Sequence, residues 1–167
     1  MPAGFLRCAM VALAFGFAPA IGAGPAFAMG TDSLSAPNAD DNYREAVQLI
    51  EAKRYRPAIG LLEKVLREKP RHADALNYIG YSHRQIKDYD LAVRYYNRAL
   101  EIDPNHRGAN EYLGEAYLET GKLDLAEARL AHLNTVCGME CKEYKELAAA
   151  VASYRAGRRP PQSSRAW

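Results

Sequence analysis

Residues 73–106 read ADALNYIGYSHRQIKDYDLAVRYYNRALEIDPNH. This stretch includes Pro104, which lies 34 residues after Pro70, and the residues that precede the two prolines match position by position. A third stretch in the same register follows, with Gly138 in the place of the proline. A fixed period of this length is typical of a repeat array, in which stacked units bury a continuous core.

Small residues occupy the same two places in all three stretches, namely Ala46, Gly80 and Gly114, and Ala58, Ala92 and Ala126. A glycine within a helix costs about 1 kcal/mol relative to alanine. Because Gly80 and Gly114 share one register, we expect a packing reason for both, with one helix of a pair lying close against its partner.

The pattern resembles that of the tetratricopeptide repeat family. In the middle stretch, the family's series of a large residue, Leu-Gly, Ala, an aromatic residue, Ala and Pro is present as Leu76, Ile79-Gly80, Ala92, Tyr96, Ala99 and Pro104. The resemblance covers residues 39 to about 137. It implies an all-α fold, an α-solenoid of three helix pairs over residues 39–72, 73–106 and 107–138. Three repeats are about the minimum that buries a continuous core.

The segments beside the repeats differ from them in composition. Residues 141–155 carry an apolar stripe at helical spacing, which predicts a capping helix over the last repeat and a repeat domain of residues 39–156. Residues 29–38 are rich in Ser, Ala, Pro, Asn and Asp, so we expect a disordered linker. Residues 157–167 have the composition of a disordered basic tail.

The first 28 residues have the composition of an export signal. Arg7 is the only charged residue before Asp32, residues 8–23 are apolar, and Ala26-Phe27-Ala28 places small residues where a signal peptidase reads. We therefore expect a signal peptide over residues 1–28, cleaved after Ala28, and a periplasmic protein. The alternative is an uncleaved N-terminal membrane anchor, because the uncharged run is long enough to span about 30 Å of hydrocarbon.

Cleavage would remove Cys8 and leave the pair Cys137 and Cys141, for which a disulfide is the default expectation in an oxidising compartment. The Cys-x3-Cys turn also resembles that of exported bacterial tetratricopeptide repeat proteins. One alternative is a metal-binding or thiol-redox site, since two thiolates with Met139 and His132 nearby are soft ligands that suit copper(I) or zinc. A pair of inert free thiols is the other.

Charge and motifs argue against several classes of function. The chain carries 22 Lys and Arg and 20 Asp and Glu, a formal net charge of +2. Because the charges nearly balance, electrostatics gives no reason to expect binding to nucleic acid. The sequence has no Gly-rich phosphate loop, no nucleophile elbow and no His-Glu-x-x-His. We therefore expect a protein that is not an enzyme, with no small-molecule substrate, no cofactor and no metal.

The resemblance also implies a binding surface. In this family the first helix of each pair lines a concave groove, and fixed positions of that helix face the ligand. Carried over to this chain, those positions predict the peptide-binding residues Tyr43, Arg44, Asn77, Tyr78, Tyr81, Arg84, Glu111, Tyr112, Glu115 and Glu119. The tyrosines would supply large contact area with little loss of rotamer freedom. The acidic row would favour a basic partner or, alternatively, form a solvated helix face.

Together these features predict a non-catalytic protein-binding module in the bacterial periplasm. Its partner would be another protein or peptide segment with Lys or Arg beside apolar anchors. The alternative from another class is a metal-binding or thiol-redox protein that uses Cys137 and Cys141 on a repeat scaffold. A third possibility is a structural subunit, a homo-oligomer in which a neighbouring copy fills the groove.

Overall fold

The computed structural model of the protein describes residues 38–158. Over this range the chain forms seven α-helices and no strand. They are α1 Ala39–Glu51, α2 Tyr55–Glu68, α3 Ala73–Gln85, α4 Tyr89–Ile102, α5 Arg107–Glu119, α6 Leu123–Cys137 and α7 Lys142–Arg155. The prediction of an all-α solenoid is confirmed. The predicted signal peptide, the linker before Asn38 and the tail beyond Arg158 lie outside the described residues.

The helices stack in chain order as three pairs with a cap. α1 packs on α2, α3 on α4 and α5 on α6, while the contacts of α2 with α3 and of α4 with α5 join one pair to the next. The first helices also touch each other directly, α1 with α3 and α3 with α5. The capping helix α7 packs on both α5 and α6 and buries Leu147 completely. No helix within residues 38–158 has both the length and the apolar character needed to cross a membrane.

Side chains just before the first helices cap them. Asn38 Oδ1 accepts hydrogen bonds from the amides of Asp40 and Asp41 at 2.9 and 3.0 Å, which satisfies two orphan donors of α1. His72 and His106 take this role for α3 and α5. Their Nδ1 atoms accept from amides three residues on, at 3.3 and 3.1 Å. A ring nitrogen that accepts is unprotonated, so the proton of each neutral ring lies on Nε2.

The turn inside each helix pair contains one residue with a left-handed backbone. These residues are Lys53, Lys87 and Gly121, with φ of 58°, 66° and 77°, and they lie 34 residues apart. In the middle repeat, Lys87 N–H donates to Arg84 O and Asp88 N–H donates to His83 O, both at 2.9 Å. This is the Schellman arrangement, which satisfies the last carbonyls of the helix and fixes where the second helix begins.

Two glycines of α3 and α5 allow close helix contacts, as the sequence predicts, but with different neighbours. A Cβ at Gly80 would lie 2.7 Å from Cε1 of Tyr96, which is fully buried on the partner helix α4. A Cβ at Gly114 would lie 2.6 Å from Cδ2 of Leu147 on α7. The last repeat thus differs from the expectation, because the capping helix meets α5 at this position.

Replacing Gly80 with alanine tests the first contact. The added Cβ cannot fit beside the enclosed Tyr96 ring without movement, so we expect a loss of about 1 to 2 kcal/mol in the free energy of unfolding despite the better helix propensity of alanine. Gly60 on α2 is the matched control, because nothing lies within 4 Å of its added Cβ. Gly60→Ala should stabilise by up to about 1 kcal/mol. Denaturant unfolding measures both, and a stabilised Gly80→Ala variant would contradict the assigned contact.

Candidate functional site

Most of the predicted groove residues are buried. Asn77, Tyr78, Tyr81, Arg84, Glu111, Tyr112 and Glu115 are each at most 7% exposed. Tyr43 and Glu119 are half-buried, and Arg44 is exposed. The first helices therefore hold the predicted residues within one connected region, but most of them offer little surface to a partner in this structure.

The tyrosines of this region form contacts across the first helices. The Tyr43 and Tyr78 rings lie 5.9 Å apart between α1 and α3, and those of Tyr81 and Tyr112 lie 5.1 Å apart between α3 and α5. The distances suit the tilted arrangements that aromatic pairs prefer. Burial raises the pKa of Tyr81 to about 12, so its hydroxyl stays protonated at neutral pH. The tyrosines thus fasten the first helices to each other.

A buried ion pair joins α3 to α5 in the same region. Arg84 Nη1 donates to Glu115 Oε2, and the two side chains are only 1% and 5% exposed. The guanidinium lies 5.8 Å from the Tyr81 ring centre and 5.6 Å from that of Tyr112. Burial alone would lower the pKa of Arg84, but the charges of Glu115 and Glu119, the buried Tyr96 hydroxyl and the hydrogen bond with Glu115 together outweigh it, and the pKa is raised.

Glu111 is a fully buried carboxyl group beside this pair. Burial raises its pKa to about 10, and the nearby charge of Glu115 and a carboxyl contact with Glu146 act in the same direction. Glu111 is therefore protonated at neutral pH. The alternative interpretation of the acidic row as a solvated helix face is wrong for Glu111 and Glu115, because both are buried.

An open pocket of about 430 Å³ lies beside the tyrosines of α1 and α3. Its walls come from α1, α3, α5, α7 and the turn before α5: Tyr43, Asp74, Asn77, Tyr78, Asp103, Asn105, His106, Arg107, Gly108 and Glu143. His106 Nε2 donates to Asp74 Oδ1 at 3.0 Å. That hydrogen bond is the main reason why the pKa of Asp74 is lowered. Three of the predicted binding residues, Tyr43, Asn77 and Tyr78, line this pocket.

The cysteine pair lies at the junction of α6 and α7. The sulfurs of Cys137 and Cys141 are 2.07 Å apart, at disulfide distance. Gly138 between them has φ 78°, a backbone that proline cannot adopt, which accounts for glycine at the position where the other repeats have proline. A carboxylate oxygen of Glu143 lies within 4.8 Å of both sulfurs.

His132, one of the soft ligands named from the sequence, is not part of the cluster at the cysteines. His132 Nε2 lies 3.0 Å from Pro104 O, across the turn before α5. Met139 is 60% exposed. Among the described residues, the cluster that could hold a metal ion consists of the two cysteines and Glu143, a carboxylate that sequence spacing did not single out.

The fold is that of a tetratricopeptide repeat solenoid. A family model described as Tetratricopeptide repeat matches residues 73–106, the range of the second predicted repeat. No curated protein matches the chain in sequence. The similarity to solved structures therefore covers more of the chain than the family model does, and it extends over most of the described helices.

Three solved structures illustrate that likeness. The type III secretion chaperone SycD of Yersinia enterocolitica, in complex with a peptide of the translocator YopD, has a TM-score of 0.62 and 20% identity over 71% of this chain and 89% of that chain. The first TPR of Spaghetti (RPAP3), bound to an HSP90 peptide, has a TM-score of 0.64 and 15% identity over 71% of this chain and 93% of that chain. A thermophilic TPR protein of Thermus thermophilus has a TM-score of 0.66 and 21% identity over 71% of this chain and 66% of that chain. Identities this low establish the fold alone.

Removing one partner of the buried ion pair should be costly. Glu115→Gln leaves the buried Arg84 guanidinium with Glu119 Oε1, at 3.8 Å, as its remaining ion-pair partner within residues 38–158. We expect a loss of about 3 kcal/mol in the free energy of unfolding, measured by urea titration. Glu127→Gln is the control, because its partner Arg155 is 61% exposed and such pairs contribute less than about 1 kcal/mol. Equal effects of the two substitutions would contradict a buried pair.

Glu111 should make the protein less stable as pH rises. Its pKa is about 10 in the folded chain against 4.5 without burial, so the folded state alone holds this proton between those values. Glu111 therefore lowers the free energy of unfolding progressively as the pH rises from 4.5 to 10, by at most about 1.4 kcal/mol per pH unit. Below pH 4.5 this loss is absent. Glu111→Gln should flatten this decline and gain stability relative to the parent from pH 5 to pH 8. Glu63→Gln, at an exposed position of α2, should leave the parent's slope unchanged.

Proposed function

We propose that this chain is a non-catalytic interaction module that binds a peptide segment of a partner protein along the first helices α1, α3 and α5. The single observation that carries the proposal is the open pocket beside Tyr43 and Tyr78, to which all three first helices contribute. It is supported by the fold, since two similar solenoids, SycD and the first TPR of Spaghetti, hold peptides in their own structures. Repeat solenoids use such extended surfaces for binding.

The predicted groove residues divide into two roles under this proposal. The buried ones, centred on Arg84, Glu115 and Tyr112, hold the first helices in register. Contact with a partner falls to members that keep exposed surface, above all Tyr43 and Arg44, together with the Asp74 side chain, which is 62% exposed. This division keeps the binding surface rigid, which lowers the entropy lost on association.

We propose the periplasm as the place of action. The support is the sequence of residues 1–28 and the disulfide distance between Cys137 and Cys141, which suits an oxidising compartment. An N-terminal membrane anchor is the alternative under this proposal. N-terminal sequencing of the exported protein distinguishes them, since cleavage gives Met29 as the first residue and an anchor leaves Met1.

A second candidate function is metal or thiol-redox chemistry at the cysteine turn. The observation that favours it is the carboxylate of Glu143 within 4.8 Å of both sulfurs. Intact mass before and after reduction, on protein purified without added metal, tests it. A gain of about 2 Da on reduction with no bound metal would support a plain disulfide, whereas stoichiometric zinc or copper would favour the second candidate.

The groove proposal predicts which positions capture the partner. A photo-cross-linking amino acid at Arg44, on α1, should capture a defined partner in cells, whereas the same group at exposed Arg94 on α4 should not. With the captured partner in hand, Tyr43→Ala should weaken binding by about 2 kcal/mol, because large aromatic anchors dominate interfaces. Tyr95→Ala is the matched control, since Tyr95 is also half-buried and stacked on a histidine, but on a second helix. Equal losses, or capture only from Arg94, would place the interface elsewhere.

A further inference from the structure

Two acceptor oxygens in the walls of the open pocket lack hydrogen bonds. Asn77 is 3% exposed and Glu143 is 6% exposed. Asn77 Oδ1 and Glu143 Oε2 are both shielded from water and accept no hydrogen bond in this structure. A buried acceptor without a donor is unfavourable, because it has lost its hydrogen bonds with water and gained none in the protein. The two residues come from different helices, α3 and α7, and both line the same cavity. The pocket is therefore equipped for a ligand that donates hydrogen bonds.

The charge of the pocket specifies which kind of donor fits. Asp74, Asp103 and Glu143 supply three carboxyl groups, against the one guanidinium of Arg107. His106 is already engaged on both ring nitrogens, with the Ala109 amide at Nδ1 and with Asp74 Oδ1 at Nε2. The excess of carboxylates favours a cation over a neutral donor.

Arg107 does not already fill this role. Its Nη1 lies 3.8 Å from Glu143 Oε2, beyond hydrogen-bond distance, and its side chain is 54% exposed. An exposed arginine with a long contact can turn towards solvent at little cost when a better donor enters. Glu143 thus keeps an acceptor oxygen for a ligand.

The aromatic walls suit the rest of a basic side chain. The Tyr43 and Tyr78 rings, 5.9 Å apart, line the pocket next to Asn77. Aromatic faces attract cations and also pack against the methylene groups of lysine and arginine. At about 430 Å³ the pocket lies within the usual range for ligand sites and has ample room for one such side chain.

We infer that this pocket is a specificity pocket for one lysine or arginine side chain of the partner polypeptide, with Asn77 Oδ1 and Glu143 Oε2 accepting from its cationic head. The inference rests on the proposed function for its biological ligand. It adds the chemistry of one anchor and assigns to Glu143, on the capping helix, a part in binding.

The pocket can be tested without knowing the partner. The probe is Nα-acetyl-lysine amide, titrated into the full-length isotope-labelled chain and followed by NMR. We expect saturable shifts of the Asn77 side-chain amide and the Gly108 backbone amide, with a Kd on the order of 1 mM for so small a ligand. Nα-acetyl-norleucine amide has a similar aliphatic stem without the charge and should produce no saturable shift. Equal shifts with norleucine, or none with lysine, would overturn the inference.

Two matched variants identify the acceptor. Glu143→Gln removes the charge while retaining the shape, and we expect the lysine amide to bind at least tenfold more weakly. Glu140→Gln is the control, because Glu140 lies three residues away, has a 92% exposed side chain and pairs with Lys145. It should bind the probe as the parent does. An unchanged affinity in Glu143→Gln, or saturable binding of Nα-acetyl-glutamate amide through Arg107, would also overturn the inference.

The two proposals can fail separately. If Arg44 captures a partner but lysine amide does not bind, the pocket inference is wrong and the interaction module stands. If lysine amide binds and no partner is captured, the pocket chemistry is supported and the proposed function is contradicted. Spermidine that binds the parent chain at least a hundredfold more tightly than lysine amide would assign the pocket to free polyamines and overturn its assignment to a partner side chain.

Discussion

No helix pair in this protein can bury its apolar faces by itself. Each pair covers one face of the pair before it, and contacts run almost entirely between neighbours along the chain. Within residues 38–158 the third pair is followed by the single helix α7, which inserts Leu147 against Gly114 on α5. The capping helix is therefore a structural requirement of the stack, and its first turn comes to lie beside the first helices. That position brings Glu143 to the pocket.

A buried polar contact adds to these apolar contacts between neighbours. Arg84 and Glu115 connect α3 to α5 directly, as a charged pair away from water. Such a pair adds little net stability compared with apolar residues, because desolvation offsets the attraction between the charges. The pair acts mainly by destabilising other registers of the first helices, since any shift of α5 against α3 would separate two buried charges. The pair thus favours one register of the first helices, and the positions of Tyr78 and Asn77 at the pocket depend on that register.

The sequence predicted the fold because a 34-residue period repeats the same small and large positions, and that regularity requires stacked pairs. It also identified Gly80 as a contact. It did not reveal that Glu111 and Glu115 are buried, because helical spacing tells which residues share a face and not what covers that face. The left-handed turn positions could have been predicted from the sequence. Gly121 lies in register with Lys53 and Lys87, and a glycine just after a helix is a known stop signal.

Only part of the pocket could be predicted from the sequence, namely Tyr43, Asn77 and Tyr78 but not Glu143. Its walls combine residues from α1, α3, α5, α7 and the turn before α5, and no spacing in the chain relates Tyr43 to Glu143. The groove positions known for the family lie on first helices only, and so they do not include the capping helix. A cap is specific to the end of one array, whereas groove positions are shared by all repeats. Selectivity for a particular partner can therefore arise at the cap, because there the chain departs from the repeat while the neighbouring helices keep it rigid.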